Sequence, residues 1–499
     1  MELEIKRQSL CYEHLAAQAR EQVSIEGEAT LPGSMRDAVT VLSVQAQAIL
    51  SGRQAGAGEA GVRGKVCFQV LYTQGDLTRI RALETSCDFE HVFPMQSVTP
   101  AMRLEAAAAV EETDGTAANG RISLRALLTL RVQALETVET GAVTSVRAPG
   151  GEQLRARSQE LTLCRGQELG SSSALVREEF DLPARLGAGD VLTATGAVGE
   201  PEITGSSGRV GVSGTVEVRV LHRPLEAGAP LIVTAHELPY EVVIDAQLPS
   251  DAQVRAEAEV VDVMADSAAS EQRRTLRVEA EVRVRLMLCC RVQEMVLEDV
   301  YSLSGEVLEP VREPLEALFC EEVSHARESV RVQASLPPDA PPVATVLAAF
   351  AQPVLTAAAP AGRRLDAEGL MNVTIIYLPV DSDVPAAVRT REPFAVTFPV
   401  ETGEGVQAEL SSIETTAGAT TSDRVELRCE LGLRAVRRGV TRAQAITQIE
   451  QKPAPRQEHG FVLVWPAEGE SHWETARRLR VAEDCLRPAG KRALLALRK

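Results

Sequence analysis

Three long stretches of the chain alternate apolar and polar residues with a period of two. The second is the most regular: Leu276, Val278, Ala280, Val282, Val284, Leu286 and Leu288 fall on one side, and Arg277, Glu279, Glu281, Arg283 and Arg285 on the other. The third sets Val425, Leu427, Cys429, Leu431 and Leu433 against Arg424, Glu426, Arg428 and Glu430, and the first carries Ile122, Leu124, Ala126, Leu128 and Leu130. This period, sustained over ten residues or more, predicts a strand with one buried and one wet face. A one-sided strand needs a second layer over its apolar face. Each stretch therefore predicts an antiparallel β-domain, a sandwich or an open barrel.

Shorter landmarks repeat in the same order. A Leu-Pro pair stands at Leu31-Pro32, Leu182-Pro183 and Leu336-Pro337, and a glycine follows the leucine by 33, 32 and 33 residues, at Gly64, Gly214 and Gly369. Each glycine opens an apolar strand that ends eight residues later in Tyr72, His222 or Tyr377, and an aromatic (Phe89, Tyr240, Phe394) follows the glycine by 25, 26 and 25. Cys11, Cys164 and Cys320 precede the Leu-Pro pairs by 20, 18 and 16. Four landmarks in constant order mark one unit present three times. A glycine inside a strand predicts a bulge or a close backbone approach, and the terminal Tyr or His is expected to pack at a sheet rim. The expected organisation is mainly β: repeats at 1–137, 153–302 and 308–450, a Pro-containing spacer at 451–458, and a small α+β module at 459–499. Segments between repeats, such as the one from Ala148, read as linkers or crossing strands.

Composition narrows the function. Apolar residues make up 44% of the 499, enough for buried cores, yet aromatics are 3%, so the cores rest on Val, Leu and Ala. A net charge of −18 disfavours a nucleic-acid partner, which needs a basic face. Nine cysteines, odd in number and without a C-x-x-C pair, read as reduced thiols in the cytosol, with Cys289-Cys290 packed at the end of a strand. The N-terminus lacks an apolar core and a cleavage site, so no signal peptide is expected. The uncharged run from Ala340 to Gly362 is long enough to span a bilayer, but its four prolines and its charged equivalents in the other repeats argue against a span.

The composition changes after Gly460. Both tryptophans, Trp465 and Trp473, lie in the last 40 residues. Phe461–Trp465 reads as a strand. Ser471 with Glu474 is a capping box, so a helix is expected from Ser471, with Trp473, Ala476 and Leu479 on one face. A second short helix is expected to hold Ala482, Cys485 and Leu486, and Ala493–Leu497 to pair with the first strand.

Gly469, Glu470, Ser471, His472 and Trp473, with Ala476 at the small position, make this tail similar to a LysM module. It departs from the motif where glutamate replaces aspartate and His472 replaces leucine. With the three repeats and their landmarks, the chain resembles the SPOCS-domain spore-coat morphogenetic proteins of spore-forming Firmicutes, which end in a LysM module. The resemblance implies a factor of the mother-cell cytoplasm acting at the forespore surface. It also implies a tail that docks on the coat basement ATPase of the SpoIVA type, with Trp465, Gly469, Glu470, Ser471, Trp473, Ala476 and Leu479 as partner-binding residues. The rival expectation is a peptidoglycan or chitin binder using the same module.

Other signals carry less. Gly56–Gly61 matches G-x-G-x-x-G but precedes a strand, so a hairpin loop is expected in place of a dinucleotide site. Ser471 and His472 are adjacent on a helix and point about 100° apart, which excludes a nucleophile–base pair. No His or Cys spacing suits zinc, and Glu111-Glu112 and Glu321-Glu322 read as solvated surface. The expectation is a scaffold without catalytic residues, cofactor or metal.

Overall fold

The computed structural model describes residues 2–31, 39–75, 79–149, 153–206, 208–247, 253–269, 274–303, 306–401, 405–453, 460–489 and 493–498. The first repeat runs β1 (Glu4–Thr30), β2 (Val39–Ala55), β3 (Glu59–Gln74), β4 (Arg81–Pro94), β5 (Arg103–Ala118) and β6 (Arg121–Arg147). They form two antiparallel three-stranded sheets, ordered β1-β6-β5 and β2-β3-β4. The core lies between them: Ile122, Leu124, Ala126, Leu128 and Leu130 of one sheet meet Val66, Phe68, Val70 and Phe93 of the other. The mainly β class and the sandwich expected from the alternation are what the chain adopts.

The second repeat comprises β7 (Leu154–Leu182), β8 (Ala188–Val198), β9 (Glu202–Ser206), β10 (Arg209–Pro224), β11 (Ile232–Ile244), β12 (Gln253–Ala269) and β13 (Arg274–Ser302). The third comprises β14 (Val307–Ser335), β15 (Val343–Pro360), β16 (Leu365–Pro379), β17 (Ala386–Phe398), β18 (Val406–Thr421) and β19 (Arg424–Lys452). Their sheets repeat the first pattern, β12-β13-β7 with β11-β10-β8, and β14-β19-β18 with β15-β16-β17. The uncharged run from Ala340 is strand β15, and among the described residues no helix is long and apolar enough to cross a membrane. Gly56–Gly61 is the turn from β2 into β3, with the Gly56 amide donating to the Glu59 carbonyl at 2.9 Å. Leu182 ends β7 and Leu336 directly follows the end of β14 at Ser335, and in both cases a following proline removes the next ladder donor. Pro32 lies outside the described residues.

The glycine-to-aromatic spacing has a direct cause. Gly64 sits directly across from Phe89, Gly214 from Tyr240 and Gly369 from Phe394. Each aromatic ring lies down over the neighbouring glycine. A Cβ on Gly64 would stand 2.8 Å from the Phe89 ring and 2.5 Å from the Ile49 carbonyl oxygen; on Gly369 the distances are 2.9 Å to Phe394 and 2.2 Å to the Val354 oxygen. The carbonyl approaches because the strand on the other side bulges there, between Leu50 and Gly52 and between Leu355 and Ala357. In the second repeat the bulge widens into the break between β8 and β9. Tyr72, His222 and Tyr377 are buried at 3%, 0% and 1% exposure, deeper than a rim position. Tyr377 donates to the Pro341 carbonyl, and His222 Nε2 pairs with Thr234 Oγ1.

The first and last strands of each repeat are 27 to 29 residues long and pair along their whole length. Each hairpin outruns its own sandwich, and the overhanging halves of the three pack together as a hub. Equivalent residues meet there: Leu10, Leu161 and Leu315; Tyr12, Leu163 and Ala317; Ala142, Val296 and Ala445. Val143, Leu297 and Ile446 do the same in a second cluster. Each hairpin skips one residue at the same place, Thr144, Glu298 or Thr447. That bulge turns two consecutive apolar residues, such as Val296 and Leu297, both inward. The expected boundaries are corrected accordingly. The first repeat does not end at 137, because β6 continues to Arg147, and the expected spacer begins inside β19, which runs to Lys452. The period-two pattern lapses at these bulges, which hid the strand continuations. Residues 454–458 of the spacer lie outside the described residues, as do the side chains of Cys289, Cys290 and Cys320.

The sandwiches also touch in cyclic order. Gln69 of the first donates to the Ala194 carbonyl of the second at 2.7 Å. Arg219 of the second faces Glu414 of the third at 3.4 Å, and Asn372 of the third donates to the Glu111 carbonyl of the first at 2.6 Å. Leu42, Leu71, Leu192, Leu221, Leu347 and Ile376, two equivalent triplets, form one buried cluster among them. Such head-to-tail contacts close into a ring.

Replacing Gly369 by alanine is expected to lower unfolding stability by about 1–3 kcal/mol, the cost of overpacking a filled site. Gly418→Ala, with nothing within 4 Å of the new Cβ, is expected to be neutral or stabilising; urea denaturation of both variants checks the pair. Burial holds the imidazoles of His222, His236 and His325 below their usual range of 6.5. The unfolded chain then binds more protons, so stability is complete above about pH 6.5 and is lost as pH falls below it. His222→Tyr, the residue of the other repeats, is expected to flatten that decline in pH-dependent thermal melts.

Candidate docking site in the C-terminal module

The tail folds as β20 (Gly460–Val464), α1 (His472–Leu479), β21 (Leu486–Pro488) and β22 (Leu494–Arg498), with strand order β20-β22-β21. Helix α1 begins where the capping box places it: Ser471 accepts from the Glu474 amide, and Glu474 accepts from the Ser471 amide. That second bond holds the Glu474 carboxyl below the usual range. The second short helix is reduced to a turn of 3₁₀ helix at Glu483–Cys485. The helix ends at Arg480 in the left-handed conformation, φ 54°, where its amide satisfies the last carbonyls.

Trp473, Ala476 and Leu479 come together in one core with Val464, Leu486, Leu494 and Ala496. That core also contains Tyr301, from the end of the second repeat's long hairpin. The Trp473 and Tyr301 rings meet edge to face with centroids 5.1 Å apart, and the Arg157 guanidinium lies 5.5 Å above the indole. Asp299 organises the contact. It accepts from Trp473 Nε1 at 2.8 Å, from Arg477 at 3.0 Å and from Arg312 of the third repeat at 2.8 Å, with 7% of its side chain exposed. The Tyr301 hydroxyl donates to the Val481 carbonyl at 2.9 Å, and burial pushes its pKa up to about 12. Arg480 donates to the backbone and hydroxyl oxygens of Ser302 at 3.1 and 3.0 Å.

The expected partner-binding residues thus divide. Trp473, Ala476 and Leu479 are 7%, 0% and 5% exposed, and serve the module's core and its seat on the second repeat. Gly469, with φ 84°, and Glu470 shape the loop before the helix. Glu470 accepts from Arg478 and from the Ala467 amide, bonds that hold its carboxyl below the usual range. Trp465 stands apart. It continues a line with Phe461 and Leu463 along β20, and the three are 65%, 73% and 47% exposed. Strand β20 is a sheet edge, so its outer backbone groups have no strand partner among the described residues. Asp299, Tyr301, Ser302 and Arg480 escaped the sequence reading. Their signal was a break in the repeat: Asp299 and Tyr301 stand where the other copies have Ser145 and Arg147, or Gln448 and Glu450.

The comparisons bear on the repeats. Residues 37–117 match the family model described as SipL, SPOCS domain. The matched SPOCS segment starts just before β2 and ends within β5, so it includes the Gly64–Phe89 pair but not the long hairpin. This segment of the first repeat is similar to the SPOCS domain of that family. No curated protein and no solved structure matches the chain. Among the described residues no group of His, Cys, Asp and Glu is placed to hold a metal.

Asp299→Ala leaves three donors without their buried acceptor and is expected to weaken the seat by about 3–5 kcal/mol. Trp465 is already exposed, so a red shift of tryptophan emission in this variant reports Trp473 leaving its site.

Proposed function

We propose that this chain is a non-catalytic scaffold of spore-envelope assembly, made in the mother cell and held at the forespore by its LysM-like tail. The supporting observation is the row Phe461, Leu463 and Trp465 on a free sheet edge. Exposed aromatics on an edge strand suit a protein partner, because anchors of this type dominate interface energetics and the outer edge offers backbone pairing. The partner implied by the family resemblance is the coat basement ATPase of the SpoIVA type. Trp473, one of the seven residues expected to take part in docking, is buried against the second repeat and so sets how the row is presented.

A glycan-binding reading has less support. The groove beside α1 is lined by Glu468, Glu470, Glu474, Arg477 and Arg478 with Ala467 and Gly469, and it presents no aromatic face on which a sugar would stack.

A fluorescent fusion of the full chain carrying Phe461→Ser and Trp465→Ser is expected to lose its ring around the forespore while keeping the thermal stability of the natural protein. A ring that persists in this variant overturns the proposal. Retention of the natural chain on insoluble peptidoglycan in high salt would favour the glycan reading.

A further inference from the structure

A half-open cavity of about 2090 Å³ lies among the three sandwiches, above the roughly 300–1,000 Å³ of ordinary small-molecule pockets. In a chain of net charge −18, its described lining holds nine arginines against eight carboxylates. Three of these arginines, Arg131, Arg285 and Arg434, are equivalent residues of the central strands β6, β13 and β19.

Their partners are not equivalent. Arg285 stands directly across from Glu257 and Arg434 directly across from Glu409, with ion pairs of 3.4 and 3.3 Å. Arg131 stands directly across from Ala107. Its neighbour on the other side is Arg20, which turns to Glu111 at 3.7 Å. Arg131 has no ion pair among the described residues. Arg53, also in the lining, makes no ion pair there either. Burial and the Arg285 guanidinium of the second repeat lower its pKa, against the carboxylates of Glu257, Glu105 and Glu259. One of three equivalent carboxylate positions is thus missing, and the half-buried Arg131 guanidinium lacks the counter-ion that Arg285 and Arg434 have. A half-buried cation without a counter-ion favours an anion supplied from outside.

We propose that the cavity binds a small polyanion, a polycarboxylate or an oligophosphate. One of its charged oxygens occupies, beside Arg131, the place that a glutamate side chain fills in the other two repeats. The chemistry common to both ligand types is a compact group of anionic oxygens able to accept from a guanidinium group and from the other arginines of the lining.

The test uses the full chain, with citrate and inorganic pyrophosphate as probes at constant ionic strength, read by calorimetric titration and thermal melts. One or both anions are expected to bind and raise the melting temperature. Arg131→Gln is expected to weaken binding roughly tenfold or more, the loss of one charge-assisted contact. Ala107→Glu restores the missing cross-strand pair, so it is expected to raise the melting temperature without ligand and to abolish the response to anion. A response to citrate alone assigns a carboxylate ligand, and a response to pyrophosphate alone a phosphate ligand. Should Arg131→Gln not fold, Ala107→Glu decides by itself. Absence of any response in the natural chain, or an equal response in the natural chain and in Ala107→Glu, overturns the proposal.

Discussion

A strand of 27 to 29 residues is about 90 Å long at some 3.3 Å per residue, and no sandwich of this size can cover it. That length is the constraint on which the architecture depends. Half of each hairpin is sealed by the facing sheet of its own repeat. The other half is a bare two-stranded ribbon, which has no stable existence in water alone. Its apolar face, with residues such as Leu10 and Val143, is covered by the same face of the other two ribbons. The hub therefore makes three sandwiches into one body, and the ring contacts and the cavity follow from it.

Much of this organisation is legible in the sequence, because period two is a direct record of a one-sided strand. Ile122 to Leu130, Leu276 to Leu288 and Val425 to Leu433 are buried as their spacing requires. The constant interval from Gly64, Gly214 and Gly369 to an aromatic reflects a cross-strand pair whose ring needs a residue without a Cβ. The overhanging halves were hidden for an equally physical reason. A bulge at Thr144, Glu298 or Thr447 puts two neighbouring residues on one side, and the alternation that identifies a strand is interrupted. The candidate site was half legible. The capping box at Ser471 located the helix, but the carboxylate that seats it, Asp299, lies 174 residues from Trp473, beyond any local pattern.

The tail is where the threefold arrangement ends. A module with one set of contacts can sit on only one of three equivalent ribbon ends, and the ribbon it uses is the one whose terminal residues have diverged. Asp299 accepts from Arg312 as well as from the tail, so the seat joins the second repeat, the third repeat and the module through one buried carboxylate. Rigid placement of this kind lets Phe461, Leu463 and Trp465 face away from the body in a fixed direction.

Each repeat offers one surface to the next and receives another from the one before, the relation that subunits of a rotationally symmetric homotrimer have to one another. Only a few residues of sequence separate the repeats: β6 ends at Arg147 and β7 begins at Leu154, and β13 ends at Ser302 and β14 begins at Val307. Joining three separate copies there would disturb neither the sandwiches nor the axis. The chain has the form of a rotationally symmetric trimer carried on one polypeptide, and its copies differ where function would need it: one carries the anchor for the C-terminal module, and one has Ala107 where the others have Glu257 and Glu409 on an inner wall.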